Sequence, residues 1–105
     1  MAIRMIVTDL DGTLLNSRFQ ISAENKAALQ AAAAKGVFVT LATGRMYSSA
    51  RPYALELGID APIITYNGAV VKSVQGEVLF SSYLAADTVA AVLRYCFARQ
   101  WYVQL

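Results

Sequence analysis

Two aspartates stand one residue apart in "IVTDLDGTLLNS", residues 6–17, where an apolar run gives way to glycine and threonine. Carboxylates this close resist ionising together, so a cation or a shared proton has to stabilise them. Magnesium, a hard cation, suits oxygen donors of this kind. By offsetting the repulsion it keeps the Asp9 carboxylate ionised. An ionised carboxylate can attack phosphorus and form an aspartyl-phosphate. Asp11 can then protonate the leaving oxygen and afterwards take a proton from the attacking water. Gly12 lets the backbone turn sharply, so that exposed N–H groups could hold phosphate oxygens.

Two plainer readings compete and fail. "DG" between apolar runs signals a hairpin, but "TLL" is a meagre second strand that gives way to polar "NSR". A calcium loop of the EF-hand kind needs glycine sixth and glutamate twelfth, whereas here Gly12 is fourth and the twelfth residue is Gln20.

The elements that position this pair follow from local pattern. Residues 3–8 are short and β-rich and run into the aspartates without a break. Ser22 caps a helix through about Lys35, with Glu24 in its first turn, and Gly36 stops it. Its alanines suit close packing on a sheet, though not a deep contact. "VFVTLA", residues 37–42, reads as a strand buried on both faces. "TGR" follows, then a helix ending at Gly58, with Pro52 in its first turn or else kinking it. "PIITYNG", residues 62–68, is a third strand that again closes in a polar tip. Strand, helix, strand, helix, strand marks a parallel sheet with right-handed crossovers, an α/β fold.

The rhythm then changes. "AVVKS", a "VQGE" turn and "VLFSSYL" predict a β-hairpin leaving that layer. Val89, Val92, Leu93, Cys96 and Phe97 fall at helical spacing on one face of a helix ending near Arg99, and "WYVQL" predicts another strand. The boundary between two modules is placed near Leu84, giving 1–84 and 85–105. Ligands of parallel α/β sheets bind beyond the carboxyl ends of the strands. All three polar tips, "DLDGT", "TGR" and "YNG", fall there, and their convergence on one crevice is stronger evidence than any one of them.

Composition narrows the function from the other side. The 105 residues hold 57% hydrophobic and only 15% charged residues, against a usual charged share of about 25%. Such a surface calls for a partner or for further polypeptide, and the open-ended "WYVQL" favours the latter, this chain then being one part of a larger protein. Net charge is +2, and Lys/Arg nowhere cluster as in a binder of nucleic acid. Arg4 and Asp9 come too early for a secretory signal, and no stretch is long enough to cross a bilayer, so a cytoplasmic protein is expected. One cysteine excludes an internal disulfide and cysteine-rich zinc sites, and the absence of histidine excludes Ser-His-Asp triads and His-ligated metals. Cys96 is expected to be a core side chain.

"DLDGTLL" resembles the first motif of the haloacid dehalogenase (HAD) superfamily of phosphohydrolases, and "LATGR" and "ITYNGA" resemble its Cof-type branch, whose α/β cap is inserted after the third core strand. The resemblance covers the whole chain and implies a Rossmann-like parallel core with a hairpin leading into the start of that cap. It implies a Mg2+-dependent phosphatase acting on small phosphorylated metabolites such as sugar phosphates. Asp9 would be the nucleophile and Asp11 the general acid/base, with magnesium bound by the Asp9 carboxylate and the Asp11 backbone carbonyl. Thr43 would hydrogen-bond the transferring phosphoryl group, assisted by the backbone around Leu10 and Gly44, and Thr13 would brace the Asp11 loop. Arg45 would steer or bind an anionic substrate, or form a surface ion pair; Asn67 would contact substrate or make the turn.

The family also uses a lysine that neutralises phosphoryl charge and an acidic loop that completes the metal shell. Lys26, Lys35 and Lys72 are unconvincing substitutes for the lysine, so this span alone is expected to be nearly inactive. Two other functions fit parts of the pattern. A receiver-type phosphorylation switch would carry its aspartate at the end of a later strand, where "PIITYNG" has none. A non-catalytic binding or assembly module, self-associating through exposed apolar surface, accounts for the composition. A dinucleotide-binding domain is weaker, since no G-x-G-x-x-G follows the first strand.

Overall fold

A computed structural model describes residues 2–105. The first strand, β1 (Met5–Thr8), pairs in parallel with β2 (Phe38–Leu41), Met5 opposite Phe38 and Thr8 opposite Leu41. The crossover between them is α1 (Ala23–Ala34), capped as its sequence requires: Ser22 Oγ accepts from the Asn25 N–H at 3.1 Å. Past its end, Gly36 adopts φ +81°, the left-handed conformation that releases the chain into β2. No α1 side chain is fully buried, but Leu29 and Ala32 pack against the core, the shallow contact expected of an alanine-rich helix.

The second crossover is α2 (Tyr47–Leu57), which returns the chain to β3 (Ile63–Thr65). Ala42 bridges Ile64 in parallel, Thr43 N–H donates to the Ile64 carbonyl at 3.0 Å, and the buried Thr40 hydroxyl donates to the Pro62 carbonyl at 2.6 Å. β2 therefore lies between β1 and β3, as the alternating pattern predicts. Leu41 and Ile63 are fully buried, and with Leu10, Leu14, Leu15, Ala50, Ala54 and Leu57 they form the core under the strands' carboxyl ends. Pro52 lies past the first turn of α2 and offers no N–H to the Ser48 carbonyl; both residues are exposed, so water can take up that carbonyl.

Several expectations are corrected. The hairpin does not leave the layer: β4 (Val70–Lys72) pairs antiparallel with β3, and β5 (Val78–Ser81) with β4, so it extends the sheet outward from β3. β2 is buried on both faces only from Val39 onward, since Phe38 is 60% exposed. The helix predicted from the spacing of Val89 to Phe97 exists as α3 (Ala86–Ala98), yet none of its side chains is buried and Cys96 is only half-buried. Residues 101–105 form no strand. The radius of gyration, 16.7 Å, exceeds the value of about 13 Å for a compact chain of this length, because α3, with no buried side chain, stands away from the core. No helix among the described residues is long and apolar enough to cross a membrane.

Candidate active site

The site starts from the alternation of leucines with polar residues in "DLDGTLL". Leu10 and Leu14 are buried, and the Leu15 N–H reaches back to the Leu10 carbonyl at 2.9 Å, closing one wide turn over residues 10–14. Gly12 occupies the left-handed region there (φ +74°), which is where the turn needs a residue without a side chain. Anchored by its leucines, the turn leaves Asp9, Asp11 and Thr13 on the outside. Thr13 makes no side-chain hydrogen bond among the described residues.

The other two tips are tied to each other by main-chain bonds: Asn67 N–H donates to the Thr43 carbonyl at 3.1 Å and Tyr66 N–H to the Arg45 carbonyl at 3.0 Å. The three successive residues Tyr66, Asn67 and Gly68 have φ of +51°, +55° and +95°. Asparagine is the side chain that tolerates this region best, which meets the turn-making role. Its carboxamide also faces the site, because a Cβ added to Gly44 would come within 2.9 Å of Asn67 Oδ1.

Between the tips lies a cleft of about 360 Å³ lined by Asp9, Ala42, Thr43, Gly44, Ile64, Asn67 and Gly68. A larger hollow of about 450 Å³ opens at the amino ends of β2 and β3, but Asp60 is its one charged residue and it holds none of the predicted site residues. Chemistry favours the smaller cleft. In it Asp9 is exposed, with Oδ1 accepting from the Leu10 N–H at 2.7 Å. That bond occupies the Leu10 N–H, one of the two backbone donors expected for phosphate. The Gly44 N–H donates to no acceptor among the described residues and remains available. Thr43 is 4% exposed, and its Oγ1 accepts from the Arg45 N–H at 3.0 Å, which leaves the hydroxyl proton for an acceptor in the cleft.

Asp11 is held differently. Arg45 Nε donates to its Oδ2 and Arg45 Nη2 to its Oδ1, each at 2.7 Å, a bidentate pair. The guanidinium hydrogen bonds and charge hold the Asp11 carboxyl below the usual carboxylate range and push Arg45 further above its ordinary value. With both oxygens engaged, the Asp11 side chain is no metal ligand in this arrangement. The Asp9 carboxylate and the Asp11 main-chain carbonyl are hard oxygens of the kind that would suit magnesium as part of a shell. No cluster of three or more His, Cys, Asp or Glu suited to a metal occurs among the described residues. None of the lysines reaches the cleft: Lys26 pairs with Glu56 at 3.9 Å and Lys72 lies over the Tyr47 ring at 4.3 Å.

Three residues around Arg45 escaped the sequence reading in different degrees. Ser49 and Tyr53 follow it at helical spacing on one face of α2, a signal present in "RMYSSARPY". Phe19 reaches it only because residues 15–21 fold back, Leu15 bridging Ile21; no local pattern announces that.

Residues 6–105 match the family model of the haloacid dehalogenase-like hydrolases. This chain belongs to that family. The Cof-type likeness of "LATGR" and "ITYNGA" stands with it. The chain is 32% identical over 102 residues to the phosphatase YwpJ of Bacillus subtilis, covering 97% of this chain and 36% of that protein. It is 37% identical over 90 residues to the HMP-PP phosphatase of Serratia proteamaculans, covering 86% and 33%. Among solved structures, a haloacid dehalogenase-like hydrolase from Bacteroides thetaiotaomicron superposes with a TM-score of 0.86 at 29% identity, over 94% of this chain and 39% of that one. The chain thus spans about a third of the length of the curated relatives it matches.

Proposed function

We propose that this chain carries the nucleophile of a magnesium-dependent phosphohydrolase that acts on small phosphomonoesters in the cytoplasm, with residues 1–84 as its core portion and 85–105 as the start of a cap. The observation that supports it is the meeting, in one cleft at the carboxyl ends of β1, β2 and β3, of the Asp9 carboxylate, the Thr43 hydroxyl and the Gly44 N–H. Relatives named as phosphatases support the reaction class.

In this reading an Asp9 oxygen attacks phosphorus in line, forming a P–O bond as the bond to the leaving oxygen breaks. Thr43 and the Gly44 N–H hold the phosphoryl oxygens as charge develops. A magnesium ion, when bound, supplies electrostatic stabilisation of that charge. Asp11 gives its proton to the leaving oxygen; water then attacks phosphorus and gives a proton to Asp11 as the bond between phosphorus and the Asp9 oxygen breaks, releasing inorganic phosphate and the free carboxylate. For the proton to sit on Asp11, Arg45 has to release one of the two oxygens it holds.

The test is beryllofluoride labelling in the presence of magnesium, read by 19F NMR. An adduct that forms on the wild type and vanishes in Asp9→Asn is expected. Absence of the adduct, or its survival in Asp9→Asn, overturns the reading.

A further inference from the structure

Arg45 is held from several sides. Its guanidinium carbon lies 5.2 Å from the centre of the Tyr53 ring and 5.9 Å from that of Phe19, distances suited to cation–π attraction. Ser49 Oγ accepts from Arg45 Nη1 at 3.0 Å. The Tyr53 hydroxyl, in turn, donates to the Phe19 carbonyl at 2.8 Å. α2 is thereby tied to the turn of residues 16–20, and each places one aromatic ring near the guanidinium.

Phe19 is the unexpected member. It has φ +57°, a conformation that costs a bulky residue about 1–3 kcal/mol and persists only when its surroundings impose it. The residue is 63% exposed, so burial does little to offset that cost. The turn is forced by its own bonds: Asn16 Oδ1 accepts from the Arg18 and Gln20 N–H groups, and the Phe19 N–H donates to the Asn16 carbonyl at 3.0 Å. Exposed ion pairs contribute little to stability, about 0–1 kcal/mol. A strained, solvent-facing turn that exists to brace such a pair is poorly explained by stability, and well explained by a need for geometry.

We infer that Tyr53 and Phe19 are positioning residues for the phosphoryl transfer: together they hold Arg45 in register with Asp11 and so fix the direction of that carboxyl beside Asp9. The inference rests on the reading of Asp9 and Asp11 proposed above: a guanidinium held in place keeps one Asp11 oxygen while the other is freed to carry the proton, which gives the exposed turn a role in proton delivery. An arginine is required in this arrangement, because only a planar fork offers two parallel donors to the carboxylate while presenting its faces to rings.

Two measurements test it. In the 15N-labelled chain the Arg45 side-chain Nε–H, assigned by its loss in Arg45→Gln, reports the pairing with Asp11 directly. Tyr53→Leu and Phe19→Ala are expected to speed its exchange with solvent by about tenfold, while Tyr53→Phe, which keeps the ring, changes it far less. Unchanged exchange in folded Tyr53→Leu and Phe19→Ala overturns the inference, whether or not the Asp9 adduct forms. The second measurement separates positioning from a general structural defect. A poor leaving group needs the proton and 4-nitrophenolate does not, so in the intact protein Tyr53→Leu should lower kcat for an alkyl phosphate about tenfold more than for 4-nitrophenyl phosphate. Equal losses on both substrates overturn the inference. Failure of the beryllofluoride adduct instead removes the phosphoryl-transfer reading and leaves the Arg45 exchange result standing by itself.

Discussion

At the scale of single residues, the pairing of Asp11 with Arg45 sets the electrostatics of the site. A carboxylate whose folded pKa lies below its ordinary value stabilises the fold above that value, and the contribution disappears as pH falls through the lowered one. For Asp11 the ordinary value is 3.8, and the fork from Arg45 is the largest cause of its depression. Arg45→Gln is therefore expected to move the Asp11 titration midpoint upward toward 3.8, measurable from its side-chain carbonyl shift by NMR. An unmoved midpoint would show that the pair is absent in solution. The meeting of Asp9, Thr43 and Gly44 in one cleft was readable beforehand because it depends on chain-local facts: residue type, the end of an apolar run, a glycine next to a hydroxyl. The occupant of Asp11 was not, since a separation of 34 residues joins the two partners and either role open to Arg45 was consistent with the string.

At the scale of elements, hydrophobic period and capping residues announced β1, α1, β2, α2, β3 and the hairpin, because each is specified within a few residues of itself. Failures came where burial depends on what lies across from an element. α3 has the right spacing for an apolar face, and that face meets no neighbour that buries it. "WYVQL" has strand-forming side chains, but a strand needs a partner's backbone, and none pairs with it here. α2 carries a measurable conflict of its own. Pro52 sits in its interior without an N–H for Ser48, a defect that costs a helix about 3 kcal/mol or more in the worst case. Pro52→Ala is expected to stabilise the chain by about 1–2 kcal/mol in urea unfolding, since the exposed position keeps no other contact that proline alone supplies. A loss of stability would mean that the chain's entry into the Arg45 end of α2 depends on proline's restricted φ.

At the scale of the whole molecule, apolar surface is unevenly shared. β1 pairs only with β2 among the described strands, so its other edge is open. Met5 and Val7 on it are 57% and 47% exposed, beside the exposed Phe38. Open edges with apolar side chains invite strand pairing or stacking, and charged residues are the usual protection. Sedimentation velocity is expected to show association that grows with concentration, and Met5→Lys with Val7→Lys to reduce it strongly while leaving the far-UV circular dichroism spectrum unaltered. A monomer at high concentration would show that this surface is not adhesive. The charge-poor composition pointed to such a surface in advance; its location required knowing which strand ends the sheet.

The close approach of Gly44 to Asn67 has a consequence for how this fold can vary. The two positions occupy a single packing slot, one in each of two separate loops, so neither is free to drift without the other. A methyl group at 44 would meet Asn67 Oδ1 at 2.9 Å and oblige the carboxamide to shift, while a different side chain at 67 would remove the residue best suited to the left-handed turn. A substitution at either position is therefore felt at the other, across two separate loops.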